Sequence, residues 1–545
     1  VRLEERRKVS RPLLVSQRQH SRGLYHYSLG DLGVNDRETT LLVPQRGEGQ
    51  KVEKKVKDTR PSLKEPFEGL KSALDDHRAA DFKPSQETKV TKLANGMVVA
   101  SEDSFSQMSS VGLYIKAGSR YEDPLERGAS QVLERLMFRT SANHSHGEVI
   151  GMLEDMGATA TSTTYPDMLV LSGEVLRQFV DSYLKIVSDS LICPVFSTEE
   201  VQEQVGYLLE DIEARKTSVH TVLSDALHET AFKGSPLANT NPSNSLRTLT
   251  ADTLYQYMRR TFIGPRMVVA AASADHEELV QLVQKHFGRI PAMPNDGSLP
   301  AVSPVGMPLM GSLQSRYVGG MQVVPMEPDP EDPEPVNTVA VAFEGVALGS
   351  DDLHMMFTLS SIMGGGDSFS SGGPGKGIHS RLYRNVLSKY YFVSHCSTFI
   401  HSYSDTSLFG LMADCEPKHT DSMLDILCHE LVRMMDSLDD VAVERGKNAL
   451  KTQIFYNLES RAIVTDDIAR YMLALGRRYS ASEICANIDK ITKASLQSFA
   501  AHLLRSRPTV VAVGQQKYLR KLPDLAAVEA YFDRAVNQFA KGTKL

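Results

Sequence analysis

Hydrophobic residues in the first half of the chain alternate between short apolar runs and segments with helical spacing. Short runs predict strands, and apolar residues that recur on one side of a helix predict helices. The runs predict a hairpin over 90–99, closed by a tight primed turn at Asn95-Gly96, and strands over 111–117, 158–164, 168–174 and 267–272. Helical spacing predicts helices over 129–138, 147–156, 176–191, 198–216 and 277–287.

A similar pattern recurs after a segment rich in proline. In both parts a predicted strand is followed by a turn that contains alanine, glycine and serine. Further along, Tyr403 and Asp405 repeat the order and spacing of Tyr165 and Asp167 within a second predicted strand pair. Ordered similarity of this kind indicates a duplicated domain. Chance resemblance between two α/β patterns is the alternative.

We therefore predict an α+β fold made of two homologous α/β sandwich halves, each an antiparallel-rich sheet covered by helices. The halves are residues 86–290 and 326–545, and a proline-rich linker over 291–325 joins them. Residues 1–85 are predicted to be a largely irregular N-terminal extension, because their apolar residues are scattered.

Composition excludes several classes of protein. The 545 residues carry a formal net charge of −7, whereas a nucleic-acid-binding protein usually has a basic excess. Five cysteines without a C-x-x-C pair argue against a disulfide framework and against a structural zinc ribbon. No apolar run approaches the roughly 20 residues that span a bilayer, so we expect no transmembrane segment.

The start of the chain is basic. Residues 2–23 contain many arginines and only two acidic residues, Glu4 and Glu5. This Arg-rich, acid-poor composition is typical of the remains of a mitochondrial targeting region. A basic arm without a targeting role is an equal alternative.

The segment from Gly128 to Arg139 resembles the helix of the pitrilysin-like M16 peptidases that carries an inverted zinc motif, H-x-x-E-H. In that family two histidines bind zinc, the glutamate acts as general base, and a later helix supplies an acidic ligand. Here the two histidine positions hold Gln131 and Arg135, the base position holds Glu134, and the third-ligand position falls on Asp211. Weaker similarity extends over residues 88–535.

These substitutions argue against a metal at the motif. Gln131 offers only a neutral amide, and Arg135 stays protonated in proteins. At about 4 Å, a guanidinium and Zn²⁺ repel each other by several kcal/mol even at a high effective dielectric constant. We expect Arg135 to pair with Glu134 or Asp211, so we predict no catalytic residue and no metal ligand in this chain.

A second motif is a glycine-rich segment over 364–377, between helical patterns over 352–363 and 379–388. A phosphate-binding loop is disfavoured, because Lys376 is followed by Gly377 and the first-glycine position holds Ser370. A flexible linker is the simpler alternative. The segment resembles the glycine-rich loop of α-type subunits in the mitochondrial processing peptidase family. That resemblance implies that the following residues bind substrate: Gly364, Gly365, Gly366, Asp367, Ser368, Phe369, Ser370, Gly372, Gly373, Gly375, Lys376 and Gly377.

The family resemblance implies a non-catalytic subunit of a zinc metalloendopeptidase heterodimer. It would bind basic presequence peptides and present them to a homologous β subunit that holds the zinc, with no cofactor of its own. Relatives in the family are matrix-side core subunits of the cytochrome bc1 complex (complex III), so the resemblance also implies dual membership and other bc1 subunits as partners. A purely structural core subunit is the alternative, and an independent metallopeptidase is a third. All but the last imply the mitochondrial matrix or the matrix side of the inner membrane.

Overall fold

The computed structural model describes residues 87–240, 242–293, 315–327, 335–368 and 377–542. The predicted extension over 1–85 and most of the predicted linker lie outside these residues. The described chain forms two six-stranded mixed sheets with helices packed on them, so the predicted α+β class is confirmed. In these ranges no helix combines the length and the hydrophobicity that crossing a bilayer requires.

The first sheet is built from the N-terminal half. Its strands in chain order are β1 (Lys89–Lys92), β2 (Val98–Glu102), β3 (Met108–Ile115), β4 (Thr159–Thr164), β5 (Leu169–Leu176) and β6 (Met267–Ala272). Their order across the sheet is β1-β2-β6-β3-β5-β4. The β2–β6 pair is parallel, and the other neighbours are antiparallel. All of β6 is buried, which is expected of a central strand with both faces covered.

The hairpin between β1 and β2 is present, but its predicted primed turn at Asn95-Gly96 is wrong. Gly96 N donates to Leu93 O at 2.9 Å, and Gly96 has a φ of 87°, so the loop is wider than two residues. A tertiary contact explains the difference, because Asn95 Nδ2 donates to Phe287 O at 3.1 Å. The loop is therefore shaped by a distant helix end as well as by its own sequence.

The described part of the N-terminal half contains eight helices. They are α1 (Ala129–Leu136), α2 (His146–Asp155), α3 (Val180–Ile192), α4 (Thr198–Arg215), α5 (Val219–Ala231), α6 (Ser243–Leu246), α7 (Ala251–Thr261) and α8 (His276–Phe287). All but α5 belong to the layers around this sheet. Side-chain N-caps start several of them: Ser197 Oγ accepts from Glu200 N at 3.1 Å before α4. Capping satisfies backbone donors that a helix leaves unpaired.

The second sheet is built from the C-terminal half. Its strands are β7 (Gly320–Pro325), β8 (Asn337–Gly345), β9 (Gly365–Asp367), β10 (Val393–Ser402), β11 (Ser407–Cys415) and β12 (Thr509–Gly514). Their order is β7-β12-β8-β11-β10-β9. Strand β7 lies inside the range 291–325 that the sequence assigns to the linker, so the end of that range belongs to the sheet.

The helices of the described C-terminal half follow the same plan. They are α9 (Leu353–Met363), α10 (Thr420–Val432), α11 (Asp440–Leu458), α12 (Arg461–Leu475), α13 (Ala481–Lys490), α14 (Lys493–Leu503), α15 (Gln516–Leu519) and α16 (Leu525–Ala540). Where the sequence predicts a helix over 379–388, the structure has a π-helical turn at Tyr383–Leu387. Such turns are rare and often mark functional positions.

The two sheets share one topology over five strands. The order β2-β6-β3-β5-β4 of the first sheet matches β7-β12-β8-β11-β10 of the second, and the parallel pair stands at the same place in each. The turns correspond as well, because Tyr165 N donates to Met168 O at 2.7 Å and Tyr403 N donates to Thr406 O at 2.9 Å. The described halves therefore have the duplicated architecture that the sequence predicts.

One helix of each half packs on the sheet of the other half. Helix α5 packs on β12, β7 and β8, and the corresponding helix α12 packs on β6, β3 and β2. Leu223 and Leu227 of α5 are buried against Val511, and Ile468 of α12 is buried against Val268. Burying one such side chain contributes roughly 1.5–3 kcal/mol, so this exchange joins the halves through apolar contact.

A buried ion pair joins the halves at a second point. Arg120 Nη1 lies 2.6 Å from Asp167 Oδ1, and Nη2 lies 2.7 Å from Asp405 Oδ2. These aspartates belong to the two equivalent turns, and Ser404 N also donates to Asp167 Oδ2 at 3.0 Å. Burial lowers the pKa of Arg120, but Asp167 and Asp405 hold it above its ordinary value. Burial also raises the pKa of Asp405, and Arg120 more than offsets that effect.

The helix exchange predicts a contrast between two isoleucines of α12. Ile468 is 0% exposed and Ile463 is 44% exposed. We expect Ile468→Ala to lower the free energy of unfolding by about 2–5 kcal/mol, and Ile463→Ala to change it by less than about 1 kcal/mol. Urea denaturation of both variants measures the difference. Equal effects would show that the exchanged face carries no special stability.

The buried ion pair predicts a second contrast. Arg120→Met leaves two carboxylates without their shared cation and should cost about 3–5 kcal/mol in free energy of unfolding. Arg177 also pairs with one aspartate, Asp103, at 2.8 Å, but its side chain is 31% exposed. For Arg177→Met we expect a loss of about 1 kcal/mol or less. A loss at Arg120 no larger than at Arg177 would contradict the central role of the buried pair.

Candidate functional site

Helix α1, which carries the altered metal motif, is fixed at its N-terminus by one buried carboxylate. Glu122 Oε2 accepts from Gly128 N at 2.8 Å, and Oε1 accepts from Ser130 N at 2.8 Å and from Ser130 Oγ at 2.6 Å. Burial raises the pKa of Glu122, while these donors favour its charged form. A carboxylate at this position also interacts favourably with the helix dipole.

Arg135 pairs with Asp211, one of the two partners expected from the sequence. Its Nη2 donates to Asp211 Oδ2, and so α1 is linked to α4. One turn further, Arg139 Nη1 lies 3.7 Å from Glu200 Oε1 of the same helix α4. The second histidine position and the third-ligand position of the family motif are thus occupied by the two members of an ion pair.

Glu134 holds α1 to the edge strand β4. Its Oε2 accepts from Thr164 N at 2.9 Å, and Thr164 Oγ1 donates to Ser130 O at 3.0 Å. Burial raises the pKa of Glu134 in spite of these hydrogen bonds. The residue at the general-base position therefore has a structural partner on the neighbouring strand.

Gln131 faces a cavity of about 300 Å³ that Glu122, Arg127, Glu229 and Lys233 also line. Its Oε1 is buried and has no hydrogen-bond partner among the described residues. The family's zinc does not fit this donor set, because a single neutral amide cannot replace two imidazoles and the adjacent carboxylate is already paired with a guanidinium. Over the part of the chain that the structure describes, no cluster of three His, Cys, Asp or Glu side chains could hold a metal ion.

The glycine-rich segment begins as a strand of the second sheet. Strand β9 pairs antiparallel with β10, with Gly366 opposite Cys396. Gly364 and Gly365 have φ values of 61° and 126°, and a Cβ on Gly365 would stand 2.2 Å from Cys396 O. The backbone can therefore approach β10 this closely only because these positions are glycine. In the first sheet, the corresponding edge strand β4 has no such neighbour among the described residues.

The segment is attached to β10 at its N-terminal end and enters a local turn at its C-terminal end. At the N-terminal end, Asp367 Oδ1 lies 2.7 Å from His395 Nδ1, and the Asp367 side chain is 75% exposed. Ser368 N donates to Ser394 O at 2.8 Å. At the other end, Ser380 N donates to Gly377 O at 2.8 Å.

Half of the predicted substrate-binding residues lie outside the described residues. They are Phe369, Ser370, Gly372, Gly373, Gly375 and Lys376. The altered motif and the glycine segment belong to different halves. The altered motif lies beside β4, the edge strand of the first sheet, and the glycine segment begins as β9, the edge strand of the second sheet.

Sequence reasoning did not single out Arg120. A signal was available, since an arginine follows the turn that the repeat comparison already used.

Two family models match the chain. "Insulinase (Peptidase family M16)" matches residues 97–242, and "Peptidase M16 inactive domain" matches residues 248–450. Together with the duplicated fold and the relatives described next, these matches show that the chain belongs to peptidase family M16.

Within that family the chain is similar to alpha subunits of the mitochondrial-processing peptidase. It is 31% identical to the Homo sapiens subunit, over 83% of this chain and 86% of that protein. The Solanum tuberosum subunit is 30% identical with the same coverage, and the Neurospora crassa subunit is 29% identical over 77% and 84%. The resemblance noted from the sequence is confirmed.

A solved structure has the same fold. A chain of complex III from Candida albicans, determined with Inz-5 bound, superposes with a TM-score of 0.67 over 82% of this chain and all of that chain. Sequence identity is 20%, so this similarity supports the architecture alone.

The pairing at the altered motif predicts how zinc binding can be gained. In the double variant Gln131→His, Arg135→His, two imidazoles and the released carboxylate of Asp211 should bind about one zinc per chain. The single variant Gln131→His keeps the Arg135–Asp211 pair and should bind none. Metal analysis after dialysis against zinc measures both. Stoichiometric zinc in the unaltered chain would overturn the assignment of this motif.

Proposed function

We propose that this chain is the non-catalytic, alpha-type subunit of a mitochondrial processing peptidase heterodimer. The observation that carries the proposal is the Arg135–Asp211 ion pair, which occupies two of the family's metal-ligand positions. The peptidase reaction then belongs to a homologous beta subunit that keeps its zinc ligands. The names of the relatives, and their similarity over 77% and 83% of this chain, support this role and a mitochondrial location.

In this proposal the glycine-rich segment contacts basic presequence peptides. Three features of its described ends support the role. Strand β9 lies at the sheet edge, and Gly364 to Gly366 have backbone conformations that few other residues adopt. Asp367 is an exposed carboxylate next to this backbone. Extended peptides are commonly bound through such edges and through backbone groups that side chains leave accessible.

Charge is consistent with a basic ligand. A cationic peptide approaching an acidic surface gains in association rate, most strongly at low salt. The formal net charge of −7 is modest for 545 residues, so the exposed carboxylate of Asp367 contributes locally rather than through a strong overall field. We therefore expect the contact between segment and peptide to depend on both the glycine backbone and this carboxylate.

A second proposed role is that of a matrix-side core subunit of complex III, with or without processing activity. The altered motif is compatible with it, since a core subunit needs no zinc. The glycine segment favours retained peptide binding, because a purely structural subunit does not require glycines with positive φ at a sheet edge. The two roles differ in what the segment does.

Deletion of residues 369–376 tests the proposed peptide contact. In a heterodimer with a zinc-depleted beta subunit, we expect the affinity for a fluorescent presequence peptide to fall about tenfold, which corresponds to about 1.4 kcal/mol. Fluorescence anisotropy measures it. A deletion of equal length, residues 301–308 of the linker region, serves as the control and should leave affinity unchanged. A purely structural subunit predicts no difference between the two deletions.

A further inference from the structure

A cavity of about 620 Å³ lies beside the C-terminal end of the glycine segment. Its walls come from the end of α9, the chain from Gly377 to the π-helical turn, the residues after α10 and the first part of α11. Four arginine side chains line it, and we call it the arginine cavity: Arg381, Arg384, Arg433 and Arg445. None of them belongs to the altered metal motif.

The charges around the arginine cavity do not cancel. Asp439 is the one acidic residue among its lining residues, and its Oδ1 already caps α11 by accepting from Ala442 N. Behind the wall, Glu430 is buried with its Oε2 at 2.8 Å from Arg381 Nε. Arg381 is thereby neutralised, and its Nη2 donates to Ser437 Oγ at 2.6 Å.

The other three arginines keep donors available. Arg433 Nη1 is 3.6 Å from Glu430 Oε1, and its side chain is 38% exposed. Arg445 Nη1 donates to His379 O at 3.2 Å, a contact that leaves its charge without a carboxylate. For Arg384 the described residues provide no ion pair. Arg381 and Arg433 therefore share the one buried carboxylate of Glu430, and Arg384 and Arg445 line the cavity without a carboxylate partner among the described residues.

The position of α11 is set by a close helix contact. A Cβ on Gly446 would stand 2.4 Å from Ile362 Cγ1, and Ser361 Oγ donates to Gly446 O at 3.0 Å. Glycine thus lets α11 pack directly on α9, which holds Arg445 at the rim of the cavity. Ser380 also lines the cavity, and its Oγ is buried with no hydrogen-bond partner among the described residues. A buried hydroxyl of this kind leaves a donor for a bound water or ligand.

We propose that the arginine cavity binds a small molecule that carries two or more phosphate groups. Guanidinium groups bind phosphate through paired hydrogen bonds, and they are the usual choice where an anion is recognised by shape. The volume exceeds that of one phosphate and lies in the range of small-molecule sites. Ile362 and Leu438 add apolar walls for the remainder of the ligand. This inference is independent of the proposed peptide contact.

Calorimetric titration of the full chain with pyrophosphate and with adenosine diphosphate, at constant ionic strength, tests the proposal. We expect one binding site for each ligand. The double variant Arg384→Gln, Arg445→Gln should weaken binding at least about tenfold, because charge-assisted hydrogen bonds to phosphate are lost. Tighter binding of the nucleotide than of pyrophosphate would assign the apolar walls to the nucleoside.

The matched control is Arg520→Gln, Arg534→Gln, which removes the same charge from two exposed positions elsewhere in the C-terminal half. It should bind both ligands as the unaltered chain does. Absence of binding at millimolar concentrations refutes the proposal. Equal weakening in the control refutes it too, since the effect would then reflect net charge alone.

Discussion

The described structure depends on a buried ion pair in which one arginine binds two aspartates. Arg120 is fully buried and pairs with Asp167 and Asp405, which lie at equivalent turns of the two halves. Removing such groups from water is costly, and the cost is offset only where geometry and further hydrogen bonds are good. Here Ser404 N and Ser315 N add donors to the carboxylates. The pair therefore favours one relative placement of the turns over others.

The duplication explains why two equivalent aspartates, one from each half, bind the same arginine. The aspartates are related by the repeat, but the arginine is not. The turns with alanine, glycine and serine end at Ser119 in one half and at Ser350 in the other, and the next residue is Arg120 in the first and the exposed Asp351 in the second. Arg120 thus pairs with the aspartate of each of the two equivalent turns. The exchanged helices α5 and α12 supply the apolar part of the same junction, with Ile468 as a buried contact.

Local features of the sequence were sufficient for most strands of the first sheet, because most of them carry an apolar run; β6 has the predicted bounds. The repeat was visible for the same reason. Other features depend on partners that the sequence does not identify. Neither α5 nor α12 is among the helices predicted above, and an apolar helical face does not show on which sheet it will be buried. Strand β9 is two glycines and an aspartate, a composition disfavoured in strands, and it forms because β10 offers an open edge.

The candidate site also has features that the sequence alone predicts and features that depend on tertiary contacts. That Gln131 and Arg135 are unsuited to zinc follows from their chemistry alone, whatever their surroundings. Arg135 pairs with Asp211, and Glu134 accepts a hydrogen bond from Thr164. Both contacts depend on how α1 packs against α4 and β4. In the family motif a metal would join α1 to the later helix through its ligands. In this chain the ion pair joins α1 to that same helix, α4, and the hydrogen bond of Glu134 joins α1 to β4. This accounts physically for a motif that is altered at its ligand positions and yet remains part of an ordered core.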